Sequence, residues 1–365
     1  MARESVIAHA IPLTRWAQGQ LDALAALTPG AALPEASALL TERAMLHGLT
    51  VPGDVSCRGG CRFHRTRDGW IALNLARPGD RELLPALFQT DSPLDLATSF
   101  AKLDEAEAVA RGRLLGMAIA GLSERPASPA LATSAQGPAR PAPHRLLRVL
   151  DLSALWAGPL ASRLLHLCGG EVTRVESRGR EDRLRESDPR HFNRLAEGKR
   201  TVALDLRTAA GRERLTQLIA QADIVIEAAR PRALRQLGVD ADACVRAQPG
   251  LVWLTITGHG VAGEAANWVG FGDDTSVAGG LSARLHAQTG QIGFVGDAIA
   301  DPLTGIFAAR AALEHYRTGH GARLIVAMSG LVGEAVARDP HLSQDLTVWN
   351  ARRGQPILAP EAIPC

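Results

Sequence analysis

From about residue 147 onward, short apolar runs alternate with stretches whose apolar residues recur at helical spacing. Leu147–Leu152 reads as a strand. The AGPLASRLLHLCG segment after it reads as a helix, with Pro159 near its first turn and Gly169–Gly170 at its end. Glu171–Glu176, Thr201–Leu206, Asp223–Glu227 and Leu251–Ile256 read as further strands, and Ala209–Ala222 as a helix between two of them. Such alternation predicts an α/β fold: a Rossmann-like parallel sheet with helices on both faces, taking ligands at the carboxyl ends of its strands.

The first part of the chain is less regular. Leu21, Leu24 and Leu27 recur at helical spacing, and a helix is predicted over about Asp104–Gly116. Trp70–Leu75 reads as a strand behind the turn signal Arg67–Asp68–Gly69. The residues between, 124–145, are rich in Pro, Ala and Ser, a composition that favours an extended linker. The predicted organisation is therefore a small α/β domain over 1–123, a linker over 124–145, a large domain over 146–335 and a tail over 336–365.

Composition narrows the function classes. Forty Lys and Arg against 38 Asp and Glu leave a formal charge of +2, which gives no reason to invoke nucleic acid or a membrane surface. Aromatic residues are 4% of the chain, too few for base-stacking platforms. No run approaches the ~20 apolar residues of a membrane span, and the first residues lack a leader's apolar core, so a cytoplasmic protein is expected. Five cysteines in 365 residues do not make a disulfide framework. Cys57 and Cys61 have no matching second pair, so no metal site is expected.

The turn after the first strand of the large domain is Ser153–Ala154–Leu155–Trp156–Ala157–Gly158–Pro159. It lacks the G-x-G-x-x-G spacing that brings backbone against a pyrophosphate, and no P-loop is present. In order, this half of the chain carries RVLDLSALWAGPLASRLL, GGEVTRVES, AEGKRTVALDL, ADIVIEAARPRALRQLG, PGLVWLTITGHG, GDAIADPLTG and YRTGHGARLIVAM. The series resembles the family III CoA-transferases, the group that includes formyl-CoA transferase, carnitine CoA-transferase and α-methylacyl-CoA racemase. The resemblance covers roughly Leu146–Gly333. The segment GGCRFHRTRDGWIALNLARPGDRELLPALF resembles the start of that family's small domain, which normally follows the large one and here precedes it. A rearranged or truncated order is expected.

The resemblance implies an acyl-CoA:carboxylate CoA-transferase working through an aspartyl-CoA thioester, with acyl-CoA and a carboxylic acid as partners. It implies coenzyme A as substrate, no permanently bound cofactor, and a homodimer. The Ala-Asp-x-x-Thr-Gly pattern places the nucleophile at Asp301. Counting back from Arg317–Thr318–Gly319 reaches Asp297 instead; the nearer motif is the better anchor. By residue chemistry alone Asp301–Pro302 is a cap and first-turn pair opening a helix. Phe271 stands where the racemases carry a histidine, and phenylalanine cannot move a proton, so a histidine-dependent racemase is disfavoured. A racemase- or lyase-like reaction without that histidine, and non-catalytic binding of an acyl-CoA, stay open on the residues. Asp273 and Asp274 read as a solvated acidic turn or as site lining.

For CoA itself, the resemblance points to Trp156, Ala157 and Gly158 in the first loop, and to Arg178, Lys199, Arg200 and Arg230 as phosphate-facing cations. Where relatives carry Asn-Phe, this chain has Ala228–Ala229. His259, in a glycine-rich turn, reads as packing or as a CoA contact.

Overall fold

The structure is a computed structural model that describes residues 11–90, 95–141, 146–229 and 231–358. Ten strands are present among the described residues. β1 (Cys61–Arg65), β2 (Trp70–Asn74) and β3 (Ala118–Gly121) form a three-stranded antiparallel sheet in that order. β4 (Leu131–Ala139), β5 (Arg148–Asp151), β6 (Glu171–Ser177), β7 (Arg200–Leu204), β8 (Ile224–Glu227), β9 (Val252–Thr257) and β10 (His320–Ala327) form a seven-stranded sheet. Its order is β4-β10-β9-β8-β5-β6-β7, parallel throughout except for β4, which runs antiparallel on β10.

The five strands predicted in the large domain are all there, within a residue or two of the expected bounds. They were legible because a parallel strand covered on both faces is a continuous apolar run. Val225, Ile226, Trp253 and Leu254 are fully buried. From β5 the chain winds outward through β6 and β7, then returns to β8 beside β5 and continues through β9 and β10. The winding direction reverses between β5 and β8, and in an open α/β sheet that switch point is where a crevice forms at the carboxyl ends.

The expected linker needs correction. Residues 131–139 form the edge strand β4, with Ala135 opposite Arg323 and Gly137 opposite Gly321. An edge strand tolerates Pro138, which has no N–H to donate. A Cβ on Gly137 would lie 2.2 Å from the Val245 carbonyl oxygen, so the small residues of this stretch permit a close approach.

The expected boundary near residue 123 does not separate two cores either. Helices Thr14–Leu27 and Ala36–His47 bury Leu21, Leu24, Leu39 and Leu40 in one cluster with Leu160, Leu164, Ile306 and Phe307 of the large domain. Trp16 stacks on Phe307 with ring centroids 6.2 Å apart. Nor is 336–365 wholly a tail. Helix Leu342–Ala351 buries Leu342, Leu346 and Trp349, and the Trp349 indole donates to the Phe294 carbonyl at 3.1 Å.

Two helices position the site. Ala157–Leu167 follows β5, and Ala300–Arg317 crosses it in close contact. At the crossing, a Cβ on Gly305 would meet the Ala157 carbonyl oxygen at 2.8 Å and the Leu160 Cβ at 2.8 Å. The bare glycine, with Ala161 and Ala308 buried nearby in the same cluster, brings the amino ends of both helices together. No helix among the described residues is long and apolar enough to cross a membrane.

Candidate active site

A cavity of about 290 Å³ lies at the switch point, lined by the turns after β5 and β8, the ends of β9 and β10, and the 268–271 loop. That is at the small end of the ~300–1,000 Å³ range of ligand pockets. Asp301 lines it, as do Ala157, Gly158, Ala228, Ala229 and Phe271. Phe271 thus lines the cavity, and its side chain has no proton to transfer.

Asp301 is half-buried, the second residue of helix Ala300–Arg317. It is therefore not the helix cap, and Pro302 is third rather than first. The helix opens two residues earlier than the Asp-Pro pair suggests, because the Asp301 N–H is already engaged by the Ala298 carbonyl at 2.9 Å. The Ala157 N–H, at the amino end of the other helix, favours the ionised form of the Asp301 carboxyl. Two helix amino ends thus face one carboxyl group, and each favours negative charge there. The Asp301 carboxyl also needs bare backbone beside it. A Cβ on Gly272 would lie 2.3 Å from Asp301 Oδ2.

Burial nevertheless pushes the Asp301 pKa up, to about 7. The Arg43 guanidinium and the Ala157 N–H pull it down, while Asp273 and Asp297 push it up. Desolvation outweighs the opposing charge, as expected for a carboxyl in a closed setting.

Asp297 has a different role. It is buried and held in a two-pronged ion pair by Arg43, from Nε to Oδ2 at 2.7 Å and from Nη2 to Oδ1 at 2.6 Å. It is not among the residues lining the cavity. The pair anchors the turn in front of Asp301. In that turn Gly296 has φ 70° and Ala298 has φ 45°, a left-handed value that costs a non-glycine residue energy. The Ala298 N–H donates to Asp273 Oδ1 at 3.1 Å, and the Cys57 thiol donates to the Gly296 carbonyl at 3.4 Å. Asp273 is raised to about 6, by burial first and then by Asp297. Asp274 is raised to about 8 by burial, although it accepts from the Phe271 N–H and from Asn74 Nδ2. Asp273 is therefore part of an acidic cluster with Asp297 and Asp301 around Arg43, and Asp274 is buried beside it, so the pair is not a solvated turn.

The CoA-facing residues expected from the sequence divide. Ala157 and Gly158 line the cavity, but Trp156 turns into the core, its ring 4.6 Å from His191 and 4.3 Å from the Arg43 guanidinium carbon. Arg178 is exposed just past the carboxyl end of β6. Lys199 is not available to a phosphate. Its ammonium is buried, donating to the Ser162 hydroxyl at 2.6 Å and the Pro159 carbonyl at 2.7 Å, with Asp151 at 3.4 Å. Arg200 opens β7 opposite Thr173, at the amino edge of the sheet and away from the cavity. Its strand runs toward the site, so its first residue points at the wrong end. Arg230 lies outside the described residues. His259 is buried against Trp268, centroids 5.6 Å apart, and burial lowers its pKa to about 3, so it packs as a neutral ring.

The burial of Lys199 carries a prediction. Lys199→Met should leave the KM for an acyl-CoA within about twofold and destabilise the fold by roughly 3–5 kcal/mol, because Asp151 loses its buried partner. Steady-state kinetics and thermal melts separate the two. A large KM rise with an unchanged melting temperature would restore Lys199 to the CoA site.

Arg43, Arg77 and Trp268 were not anticipated. Arg77 and Trp268 line the cavity, and Arg43 sits behind it.

Comparison with known proteins agrees with this geometry. The model of CoA-transferase family III matches residues 146–348, more than half of the chain. The chain is 32% identical over 199 residues to a succinyl-CoA–D-citramalate CoA-transferase of Chloroflexus aurantiacus, covering 52% of this chain and 49% of that protein. It is 30% identical over 208 residues to a succinate–glutarate CoA-transferase of Agrobacterium fabrum, covering 52% of each. It is 30% identical over 196 residues to a formyl-CoA:oxalate CoA-transferase of Streptomyces avermitilis, covering 51% of this chain and 48% of that protein. The chain spans about half the length of the curated relatives it matches. With a doubly wound sheet, a carboxylate at its switch point and a family match over the whole large domain, the chain belongs to CoA-transferase family III.

Proposed function

We propose that the chain transfers coenzyme A from an acyl-CoA to a carboxylic acid, with Asp301 as the covalent nucleophile. The observation that carries this reading is the placement of Asp301, the one carboxylate among the described residues of the switch-point cavity, facing two helix amino ends. The names of the relatives, each a CoA-transferase, support the reaction class.

The steps follow from the chemistry of a thioester. An Asp301 oxygen attacks the acyl carbonyl, the C–S bond breaks, and CoA leaves as thiolate from a mixed anhydride. The thiolate attacks the aspartyl carbonyl and expels the donor acid as carboxylate, leaving an aspartyl-CoA thioester. The acceptor carboxylate then attacks that thioester, and the thiolate returns to the acceptor's acyl carbon, which regenerates Asp301. Each difficult exchange becomes two easier ones. The helix amino ends favour the negative charge that develops on the tetrahedral intermediates. The homodimer implied by the resemblance belongs to the same proposal.

A nucleophilic carboxyl raised to about 7 makes the first step pH-dependent. Only the ionised form attacks, so kcat/KM for the acyl-CoA should rise through pH 7 and level off above it. Below the midpoint it should fall by about tenfold per pH unit. Initial rates of label transfer from acyl-CoA to a panel of acids, measured from pH 5.5 to 8.5, test both reaction and ionisation. A flat profile over that range would remove Asp301 as the titrating nucleophile, and no transfer to any acid would remove the reaction.

A further inference from the structure

Among its described lining residues, the Asp301 cavity has one cation, Arg77. It comes from the loop after β2, in the three-stranded sheet. Its guanidinium is fixed on one side. Nε donates to Asp80 Oδ1 at 2.7 Å and Nη2 to the Gly116 carbonyl at 2.8 Å. Asp80 is itself buried and accepts the Arg77 backbone N–H at 2.8 Å. Nη1 has no hydrogen-bond partner among the described residues, and the side chain is 26% exposed. Much of the remaining lining is apolar, including Leu155, Ile256, Val269, Phe271 and Met328.

A held guanidinium with a free N–H edge, in a cavity with few other polar side chains, is suited to one carboxylate oxygen. We propose that Arg77 receives the second, non-reacting carboxylate of a dicarboxylic acyl group or acid, and so selects dicarboxylic over monocarboxylic substrates. This rests on the reading of Asp301 only for where the reacting carboxyl lies. Because Asp80 and Gly116 hold the guanidinium before any ligand arrives, little ordering is needed on binding.

Succinate and butyrate test this, having the same chain length and differing by one carboxylate. Their equilibrium binding is measured calorimetrically on the wild-type chain, Arg77→Met and Arg77→Lys. Loss of a charge-assisted contact predicts about tenfold or greater weakening of succinate in Arg77→Met, with butyrate changed by less than about twofold. Arg77→Lys keeps the charge and loses the planar fork, so it should fall between the two. It reads the same contrast if Arg77→Met fails to fold without its bonds to Asp80 and Gly116. Equal weakening of both acids, or of neither, would overturn the assignment. So would a loss confined to adenosine 3′,5′-bisphosphate, which would place a CoA phosphate at Arg77 instead. Adduct formation is read in parallel on wild-type protein alone. An intact succinate contrast without an adduct would sink the Asp301 reading and leave Arg77 standing; an adduct without the contrast would do the reverse.

Discussion

Asp301→Ala is expected to lower CoA transfer by about 10⁴-fold or more, because removing a covalent nucleophile removes the route rather than weakening one contact. Asp297 cannot take its place. Both Asp297 oxygens are engaged by Arg43, and the residue does not line the cavity. The same substitution should not harm folding. Asp301 has a folded pKa near 7 against an ordinary carboxyl value of 3.8, so the folded state binds more protons between about pH 4 and 7. Wild-type stability therefore loses this group's contribution as pH rises through that window. Asp301→Ala lacks that slope, and its melting temperature relative to wild type should rise from pH 5 to pH 8. An inactive variant that also unfolds at pH 8 would mean the residue is structural.

Arg43→Met is expected to cost roughly 3–5 kcal/mol of stability, because it strands a buried Asp297 without its counter-charge. It should also move the activity profile. Arg43 is the strongest influence lowering the Asp301 pKa, so without it the midpoint of kcat/KM should rise above 7. The double variant Arg43→Met/Asp297→Asn should recover much of the lost stability, since contacting residues do not contribute additively. Melts and pH profiles on the three proteins decide this. A stability loss without a shifted midpoint would confine Arg43 to anchoring the turn before Asp301.

How far the sequence could be read depended on distance along the chain. The buried parallel strands are local patterns, and each was visible as an apolar run. A short motif singles out Asp301, and the residue lines the switch-point cavity. β4 was hidden because an edge strand that packs closely on Gly321 is built from Ala, Ser, Gly and Pro, the same residues that make a linker. Helices Thr14–Leu27 and Ala36–His47 have apolar stripes that any partner could cover, so their place against Ile306 and Phe307 was not legible. Arg43 looks like any surface charge on a helix, and its partner lies 254 residues away. Arg77 sits in an Arg-Pro-Gly-Asp turn that reads as solvent-exposed until Asp80 is seen to hold it. Lys199 misled for the opposite reason: the resemblance assigned its Gly-Lys-Arg motif to the nucleotide end of CoA, yet its ammonium closes a buried contact beneath helix Ala157–Leu167.

Intact-protein mass spectrometry gives the direct test of a covalent aspartyl-CoA at residue 301. Wild type, Asp301→Ala and Asp297→Ala would each be incubated with a panel of acyl-CoAs, with and without hydroxylamine. The expected result is a CoA-sized mass gain that hydroxylamine removes, present in wild type, retained by folded Asp297→Ala and absent from Asp301→Ala. A gain that survives in Asp301→Ala and vanishes in Asp297→Ala would contradict the assignment of the nucleophile, and the absence of any gain alongside measurable CoA binding would contradict the covalent mechanism itself.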